Sequence, residues 1–411
     1  MSTIEKHDMT QGKILLPLVS FTIPLVLGNL FQLTYNAADS VIVGKYVGEQ
    51  ALAAVGTSTP IMNIAILLIS GMCMGASVLM SSQYGAKDYD TLSRQISTTM
   101  LAGCGFSVVF SLLMLLLANP VLRLIRVPET AIPEAAAYLR IIFMGLIFTF
   151  MYNFLANTMR ALGDSKTPLY FLVTSAFLNI FGDLFFVVVL RCGVAGSAIA
   201  TVCSEGLCCL LCGIYIKKKI PLLCLGKKWW VFDKSLLGKT VSYGSTSAMQ
   251  QVCLQLGKLI IQSVVNTQGV AVMAAFTAVN RVDDFAYTPQ QNIGHAMTTF
   301  LAQNKGAGHK ERMKKGFQTG LLIELVYSIG LFCVIWGLAP QIMTLFAEDG
   351  DAQVVSLGIS YLHLISWMYI LPGLTNGVQG FFRGIGDLKV TLYSTFMNMF
   401  GRVVALSLIH I

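Results

Sequence analysis

The sequence predicts an all-α polytopic membrane protein made of two parallel six-helix repeats, the second of them incomplete. Three observations support this fold class: an apolar composition, long stretches without charged residues, and a segment that recurs in the second half. Of the 411 residues, 55% are hydrophobic and only 12% are Asp, Glu, Lys or Arg, whereas soluble proteins carry about 25% charged residues. This composition excludes a soluble domain, a disordered chain and a nucleic-acid-binding protein that relies on basic clusters.

The uncharged stretches set the number of helices. Asp, Glu, Lys and Arg are all missing from residues 14–38, 50–86, 95–122, 325–347 and 352–382. An α-helix needs about 20 apolar residues to cross the hydrocarbon core, and a transmembrane β-barrel would instead show alternating segments of about 10 residues. We therefore predict eleven helices, at 14–38, 52–82, 95–120, 135–159, 167–190, 193–216, 236–266, 270–302, 316–346, 352–382 and 390–411.

Lys and Arg in the connections predict the orientation. With the N-terminus in the cytoplasm, the connections on that side carry 20 Lys and Arg, and those on the opposite side carry 4. Cytoplasmic loops of membrane proteins are enriched in these residues. We therefore predict a multi-pass protein of the plasma (inner) membrane whose N-terminus is cytoplasmic.

A short segment recurs at a fixed distance. RALGDSK at 160–166 reappears as RGIGDLK at 383–389, which is 223 residues later, and DSVI at 39–42 faces QSVV at 262–265 at the same offset. The chain therefore divides into two similar halves. Because six helices return the chain to the side from which it started, the halves are expected to share one orientation and to be related by an axis along the membrane normal.

The repeat also sets the predicted domain boundaries. We predict an N-terminal six-helix lobe at 1–218, a cytoplasmic link at 219–234 and a C-terminal lobe at 235–411. After Arg160 the first half continues for 59 residues, but after Arg383 only 28 remain. The second lobe is therefore expected to be truncated and to lack its last helix. The final LSLIHI is interpreted as a processing scar and carries no functional weight.

Several motifs in both halves resemble the multidrug and toxic compound extrusion (MATE) family. They are ADSVIVGKYVGEQALAAVG (38–56), SSQYGAKD (81–88), MRALGDSKTP (159–168), NIFGD (179–183), GVAGSAIAT (193–201), AVNRVDDFAYTP (278–289), AQNKGAG (302–308) and FFRGIGD (381–387). The resemblance implies two lobes around a V-shaped cleft. It also implies a monomeric secondary active antiporter, not an enzyme, that exports small cationic amphiphilic drugs in exchange for H⁺ or Na⁺ and needs no cofactor.

Two carboxylates inside the membrane are the strongest candidates for ion coupling. An ionisable side chain at the centre of a bilayer costs about 2.5–3.5 kcal/mol, so Asp39 and Asp183 each need a partner, a proton or a water-filled cavity. Asp183 follows Asn179 by four residues and shares its helix face. At a rise of about 1.5 Å per residue, Asp39, Asp183 and Thr201 all fall in the outer half of the bilayer, where they could converge.

By resemblance, a cation or proton site of the N-terminal lobe maps onto four residues: Asp39, Asn179, Asp183 and Thr201. Two acids in a low-dielectric pocket repel each other, which favours the binding of a positive charge. Neutralisation of the pair is predicted to let the first helix bend at Pro24, the candidate hinge. In the alternative interpretation, Asp39 caps a helix end and Asp183 only satisfies a neighbour.

The second half does not repeat these acids. At an offset of 223, Gln262 stands opposite Asp39, Arg402 opposite Asn179, and Leu406 opposite Asp183. A paired-acid site is therefore expected only in the N-terminal lobe. Glu324, in the ninth predicted helix, could be structural or functional.

Three further acids form a candidate additional intramembrane site: Glu205, Asp283 and Asp284. Glu205 lies one turn after Thr201, and it joins the same site, pairs with a base such as Lys258, or faces a water-filled cavity. Arg281 and Asp284 are three residues apart on one helix, which favours an intrahelical ion pair.

The remaining motifs are expected to be structural. The two RxxGDxK segments are interpreted as hinge and topology elements, with Arg and Lys at the inner surface. Cys208, Cys209 and Cys212 lie in an apolar run without a nearby His, so we expect them to pack as small apolar residues. No metal site is predicted.

Two other functions were weighed. A lipid-linked oligosaccharide flippase would share the two-lobe architecture, but it would need basic residues for a pyrophosphate, whereas the N-terminal lobe offers acids. An intramembrane aspartyl protease would use GIGD at 384–387, but the Tyr-Asp pair that should accompany this motif occurs only at 89–90, in a connection. The protease is therefore a remote alternative.

Overall fold

The computed structural model describes residues 8–125, 127–129, 131–220, 230–346 and 352–410. Within these ranges it describes every side chain except those at 40, 49–53, 345, 346 and 402–410. Every regular element in the described ranges is helical. The α-helices are α1 (Leu15–Tyr46), α2 (Glu49–Gly85), α3 (Tyr89–Leu124), α4 (Ile132–Met144), α5 (Leu146–Ala161), α6 (Lys166–Asp183), α7 (Gly193–Lys219), α8 (Lys234–Val265), α9 (Val270–Gly306), α10 (Lys310–Phe346), α11 (Ala352–Ser366), α12 (Ile370–Gly384) and α13 (Leu388–His410).

Each of the eleven predicted spans coincides with one of these helices or with a consecutive pair, so the all-α polytopic fold is confirmed. Among the described residues, seven helices are long and apolar enough to cross a membrane, or eight if the bent pair α4 and α5 counts as one span. The polar α8 and α9 do not meet this test. Helix α9 carries Arg281, Asp283 and Asp284 near its middle, which lowers its mean hydropathy.

Three predicted spans are interrupted helices. Helices α4 and α5 meet at Gly145 with a bend of 47°, where a side chain on Gly145 would collide with Val202 of α7. After Asp183 the chain continues as a π-helix at Leu184–Val189. A 3-10 turn at Trp367–Tyr369 separates α11 from α12. The length of a membrane span can be predicted from its apolar residues, but local changes of helix type within the span cannot.

The chain forms two compact units, while the boundaries 1–218, 219–234 and 235–411 stay a prediction. Unit 1 comprises Met1–Asp8 and Leu27–Ala248, and unit 2 comprises Met9–Val26 and Met249–Ile411. Both divisions therefore fall inside a helix, one in α1 and one in α8. Most of the predicted link lies outside the described residues.

Packing explains why Met9–Val26, which includes the first part of α1, belongs to unit 2. Leu18, Phe21 and Leu25 of α1 are buried in one cluster with apolar residues of α9 such as Met297 and Phe300. Further anchors come from the polar groups before the helix. The backbone N–H of Met9 donates to Gln303 at 3.1 Å, and Arg312 of α10 donates to the carbonyls of Met9, Gln11 and Gly12.

The first half of α8 packs in unit 1 for equally specific reasons. Arg94 of α3 forms an ion pair with Asp233 at 2.5 Å, and Gln95 donates to Thr240 at 2.6 Å. Gly75 of α2 lies so close to the α8 backbone that an added Cβ would sit 2.5 Å from the nitrogen of Gly244. Glycine is needed at this close approach.

Candidate functional site

The candidate site lies in unit 1, where α6 and α7 approach each other closely. A Cβ on Gly182 of α6 would lie 3.0 Å from the Cβ of Ala200 on α7, and a Cβ on Gly196 would lie 3.0 Å from the carbonyl oxygen of Phe186. Both separations are shorter than ordinary Cβ contacts, so an alanine at either position would force its neighbour to shift by a few tenths of an ångström. This close approach places the polar side chains of α6 and α7 within hydrogen-bonding distance of each other.

Asp39 of α1 and Asp183 of α6 come together at this junction. Their carboxyl groups lie within hydrogen-bonding reach of each other, and Asp39 Oδ1 also accepts a hydrogen bond of 2.7 Å from the Ser197 hydroxyl of α7. Asp39 is half-buried, whereas Asp183 is fully buried at 0% exposure. Neither oxygen of Asp183 accepts a hydrogen bond from a donor in the described part of the chain. The pair therefore requires a shared proton or a bound cation to compensate its negative charge.

Asn179 and Thr201 lie one helical turn from this junction, since Asn179 precedes Asp183 by four residues and Thr201 follows Ser197 by four. Asn179 Nδ2 donates to Thr201 Oγ1 at 3.2 Å, and the amide oxygen of Asn179 is buried without a donor among the described residues. Carboxylate, amide and hydroxyl oxygens are the ligands that hard cations prefer. The four residues that the resemblance assigned to an ion site thus lie on neighbouring turns of α1, α6 and α7, and their oxygen atoms are of the kind that binds a small cation.

Two tyrosines and a serine belong to the site but were missed by the sequence analysis. Tyr35 lies within electrostatic range of Asp39, and the buried Tyr138 of α4 lies within range of both Asp39 and Asp183. Helical spacing could have indicated two of the three, because Tyr35 precedes Asp39 by four residues and Ser197 precedes Thr201 by four. Nothing in the local sequence points to Tyr138, which comes from a helix distant in the chain.

Glu205 of α7 lies near these residues and accepts a hydrogen bond from another helix. Its Oε2 accepts a hydrogen bond of 2.5 Å from Thr149 of α5, while Tyr35 and Tyr138 both lie within range of its charge. The suggested pairing of Glu205 with Lys258 is wrong, because Lys258 Nζ lies 3.2 Å from Asp284 Oδ1 instead.

Asp283 and Asp284 of α9 are in unit 2 and contact different side chains. Asp283 accepts a hydrogen bond from the Tyr369 hydroxyl, and Asp284 forms an exposed ion pair with Lys258 of α8. The predicted intrahelical pair between Arg281 and Asp284 is therefore wrong. The long Lys258 side chain reaches Asp284 from the neighbouring helix.

Unit 2 also contains a fully buried acid, Glu324 of α10. Neither of its carboxylate oxygens has a hydrogen-bond donor in the described ranges. The nearby Gln290 amide already donates to Ser328 Oγ at 3.0 Å and to the Tyr369 carbonyl at 2.8 Å.

The second half offers little information at the positions opposite the unit 1 acids. Gln262, opposite Asp39, donates to Asn266 at 2.8 Å. The side chains of Arg402 and Leu406, and those of residues 406–411 as a group, lie outside the described ones.

A family comparison matches most of the chain. The MatE family profile matches residues 24–185 and 247–408. The chain belongs to the MatE family. The two matched segments start 223 residues apart, the offset at which RALGDSK recurs as RGIGDLK. The resemblance found in the sequence is thereby confirmed.

Relatives of this MatE protein are named for multidrug resistance. The probable multidrug resistance protein YpnP of Bacillus subtilis is 32% identical over 392 residues, which cover 95% of this chain and 86% of YpnP. The probable multidrug resistance protein YoeA of the same organism is 29% identical over 389 residues, covering 92% of this chain and 82% of YoeA. Since the relatives are transporters, this MatE protein is a transporter and not an enzyme.

Solved structures share the fold. A MOP superfamily transporter from Pyrococcus furiosus matches with a TM-score of 0.88 at 23% identity, covering 96% of this chain and 88% of that one. A MATE transporter in a bent conformation matches with a TM-score of 0.89 at 23% identity, covering 96% of this chain and 87% of that one. The helical architecture of the MatE chain is thus that of known transporters.

The RxxGDxK segments of this MatE protein differ from their predicted role in one respect. Asp164 accepts from the backbone N–H of Thr167 at 3.0 Å and from its hydroxyl at 2.6 Å, and so caps the start of α6. Arg383, however, is buried at 6% exposure and does not face the inner surface. Side chains of a helix lean towards its N-terminus, so an Arg in the last turn of α12 points back into the bundle.

The cysteines of the MatE chain are compatible with packing. Cys208 and Cys212 are fully buried, and the Cys208 thiol lies 3.1 Å from the Phe171 carbonyl. Within the described ranges, no group of three or more His, Cys, Asp or Glu side chains is arranged to hold a metal ion. Pro24 lies inside α1, which continues through it as one helix.

Proposed function

We propose that this MatE protein is a secondary active antiporter that exports small cationic amphiphilic compounds in exchange for H⁺ or Na⁺. The observation that carries the proposal is the contact between the carboxyl groups of Asp39 and Asp183 inside unit 1. The related proteins that are named for multidrug resistance support the export of drugs. Family membership also favours this function over that of a lipid-linked oligosaccharide flippase.

The coupling step follows from electrostatics. An uncompensated carboxylate in a buried site is costly, and removal of its counter-charge typically costs about 3–5 kcal/mol. A proton or a Na⁺ bound between Asp39 and Asp183, with Asn179 and Thr201 completing the oxygen ligands, removes this penalty. Ion binding therefore stabilises whichever conformation holds these groups together, and ion release favours a conformation that separates them.

In the proposed cycle, the ion enters from the outside and neutralises the acid pair. Neutralisation lets α1 bend at Pro24, where the helix lacks one backbone hydrogen bond, and the bend expels the cargo. A cationic cargo fits the excess of acids, which includes Glu205 close to the pair. Asp283 and Asp284 supply further intramembrane acids in unit 2. The protein would act as a monomer in the plasma (inner) membrane, with its N-terminus in the cytoplasm.

The test is dye efflux from proteoliposomes that contain the purified chain. Ethidium transport is measured with a pH gradient alone and with a Na⁺ gradient alone, which also identifies the coupling ion. We expect Asp39→Asn and Asp183→Asn to reduce transport to the rate of liposomes without protein. Asp90→Asn is the matched control, because Asp90 has a 75% exposed side chain at the start of α3.

If both variants of the acid pair transported ethidium at the control rate, the assignment of the coupling site would be wrong. If the unmodified chain ignored both gradients, the antiport mechanism itself would be wrong. Equal reconstitution of all variants is verified on the proteoliposomes before transport is compared.

A further inference from the structure

Unit 2 buries a guanidinium for which the described residues supply no acidic partner. Arg383 of α12 is 6% exposed. Its Nη1 lies 3.3 Å from His295 Nδ1, and its Nη2 donates to Gln379 Oε1 at 3.3 Å. Its Nε has no acceptor among the described residues, and none of the ion pairs found there involves Arg383. A buried charge without a counter-charge is strongly unfavourable.

The neighbours of Arg383 cannot neutralise it. A guanidinium carries five N–H groups and no acceptor, so His295 Nδ1 must accept in the contact between them, and the imidazole is neutral. Gln379 Oε1 is shared, because it also accepts from Gln250 Nε2 at 3.1 Å. The contacts found for Arg383 thus occupy two of its five N–H groups.

Arg383 lines a cavity that is rich in amides. Six amide side chains border this cavity: Gln250, Gln251, Gln291, Asn376, Gln379 and Asn398. No Asp or Glu is among the residues that line it, and its only acidic group is the Tyr287 phenol. We call it the Arg383 cavity. Its walls offer one positive charge and no negative charge.

A second buried donor borders the Arg383 cavity. Asn376 is 6% exposed, and its Nδ2 has no acceptor in the described part of the chain. Asn376 precedes Arg383 by seven residues on α12, which places both on one face two turns apart. The Arg383 side chain leans back along this face towards Asn376, as shown by its contact with Gln379 one turn before it.

The backbone around the cavity is held firmly. A Cβ on Gly380 of α12 would lie 2.6 Å from the carbonyl oxygen of Gly294 on α9, and a Cβ on Gly294 would lie 2.9 Å from the carbonyl oxygen of Asn376. Helices α9 and α12 are therefore in backbone contact beside the cavity. Neither helix can move its donors aside without breaking this contact.

We propose that the Arg383 cavity binds an oxyanion, namely the phosphate or carboxylate group of a small organic anion. Arg383 would present Nε–H and one Nη–H side by side, the fork that binds two oxygens of a phosphate or carboxylate. The amide of Asn376 would donate to the same group. This site goes beyond the proposed function, because it lies in unit 2 and uses none of the unit 1 acids. The ligand of this cavity is therefore an anion, distinct from the cationic cargo proposed above.

The test measures binding to the purified full-length chain in detergent, without any ion gradient. The probes are phenyl phosphate, benzoate and inorganic phosphate, with benzamide as the uncharged analogue, and binding is followed by calorimetry. We expect saturable binding of at least one oxyanion and none of benzamide. Tighter binding of phenyl phosphate than of benzoate would assign a phosphate ligand, and the reverse order would assign a carboxylate.

Variants separate the Arg383 cavity from general charge effects. Arg383→Gln should weaken oxyanion binding at least about tenfold, the effect of losing a charge-assisted hydrogen bond. Arg140→Gln, which removes the same charge at an exposed position, should bind as the unmodified chain does. The acid-pair variants Asp39→Asn and Asp183→Asn should also bind normally, so a failure of the proposed antiport leaves this result unaffected.

Asn376→Asp provides a test that does not depend on removing Arg383. It places a carboxylate of nearly the same shape beside the guanidinium, and so supplies the missing counter-charge from within the chain. We expect it to abolish oxyanion binding and to raise the thermal midpoint. Absence of oxyanion binding to the unmodified chain, or unchanged binding in both Arg383→Gln and Asn376→Asp, would overturn the proposal.

Discussion

Addition of a single methyl group between α6 and α7 should disturb the candidate ion site without touching its polar atoms. In Gly182→Ala the new Cβ would lie 3.0 Å from the Cβ of Ala200, so the helices must separate by about 0.4 Å to reach an ordinary contact. The hydrogen bond between Asn179 and Thr201 is already 3.2 Å long, and a similar extension would break it.

The expected cost has two parts. Overpacking a tight interface typically destabilises by about 1–3 kcal/mol, and the lost hydrogen bond adds about 0.5–1.5 kcal/mol. We therefore expect Gly182→Ala to lower the thermal midpoint of the purified chain and to slow ion-driven ethidium efflux. Gly213→Ala is the matched control, because Gly213 of α7 has no atom within 4 Å of the position of a Cβ. It should be neutral or slightly stabilising, since Ala favours a helix more than Gly does.

A compensating substitution tests the steric reasoning directly. Ala200→Gly removes the facing methyl group, so the double variant Gly182→Ala with Ala200→Gly keeps one methyl at the interface. We expect the double variant to recover most of the thermal midpoint and of the efflux rate. If its loss of stability equals the sum of the two single effects, steric conflict at this position is not the cause and the reasoning fails.

Three further outcomes are expected. The Thr91 hydroxyl and backbone N–H lower the pKa of Asp88, so this cap should stabilise α3 above the ordinary pKa of Asp and lose its effect as the pH falls through the lowered pKa. Asp88→Ala should therefore remove about 0.5–2 kcal/mol in thermal unfolding at pH 7, and this difference should shrink progressively as the pH is lowered through the acid range. Arg312→Ala should free the segment before α1, seen as faster cleavage there in limited proteolysis, and unchanged cleavage would refute the anchoring role. Glu324→Gln should raise the thermal midpoint, because an amide needs no counter-charge, whereas the exposed Glu311→Gln on the same helix should not.

The sequence predicts the helices well because length and apolarity are local properties. All eleven spans appear, and the repeat offset of 223 is also the separation of the two MatE matches. The break at Gly145 and the π-helix after Asp183 escaped prediction because each depends on contacts with another helix. For Gly145 this contact is with Val202 of α7.

The hydrogen-bond and ion-pair partners of side chains were predicted less well than the positions of the helices. Helical spacing placed Asn179 and Asp183 on one face, but it could not show that Thr149 bonds to Glu205 or that Lys258 reaches Asp284. Such contacts join helices that are far apart in the chain, and their register is set by packing. The register between such helices cannot be inferred from a single sequence.

The packing of Met9–Val26 in unit 2 affects how the protein is made. Met9 bonds to a residue 294 positions later, and ribosomes add about 5–20 residues per second. The first half of α1 therefore waits roughly 15–60 s in the membrane before its permanent neighbours are synthesised. During this interval lipid surrounds Phe21 and Leu25, so α1 reaches its final packing only after α9 has been inserted.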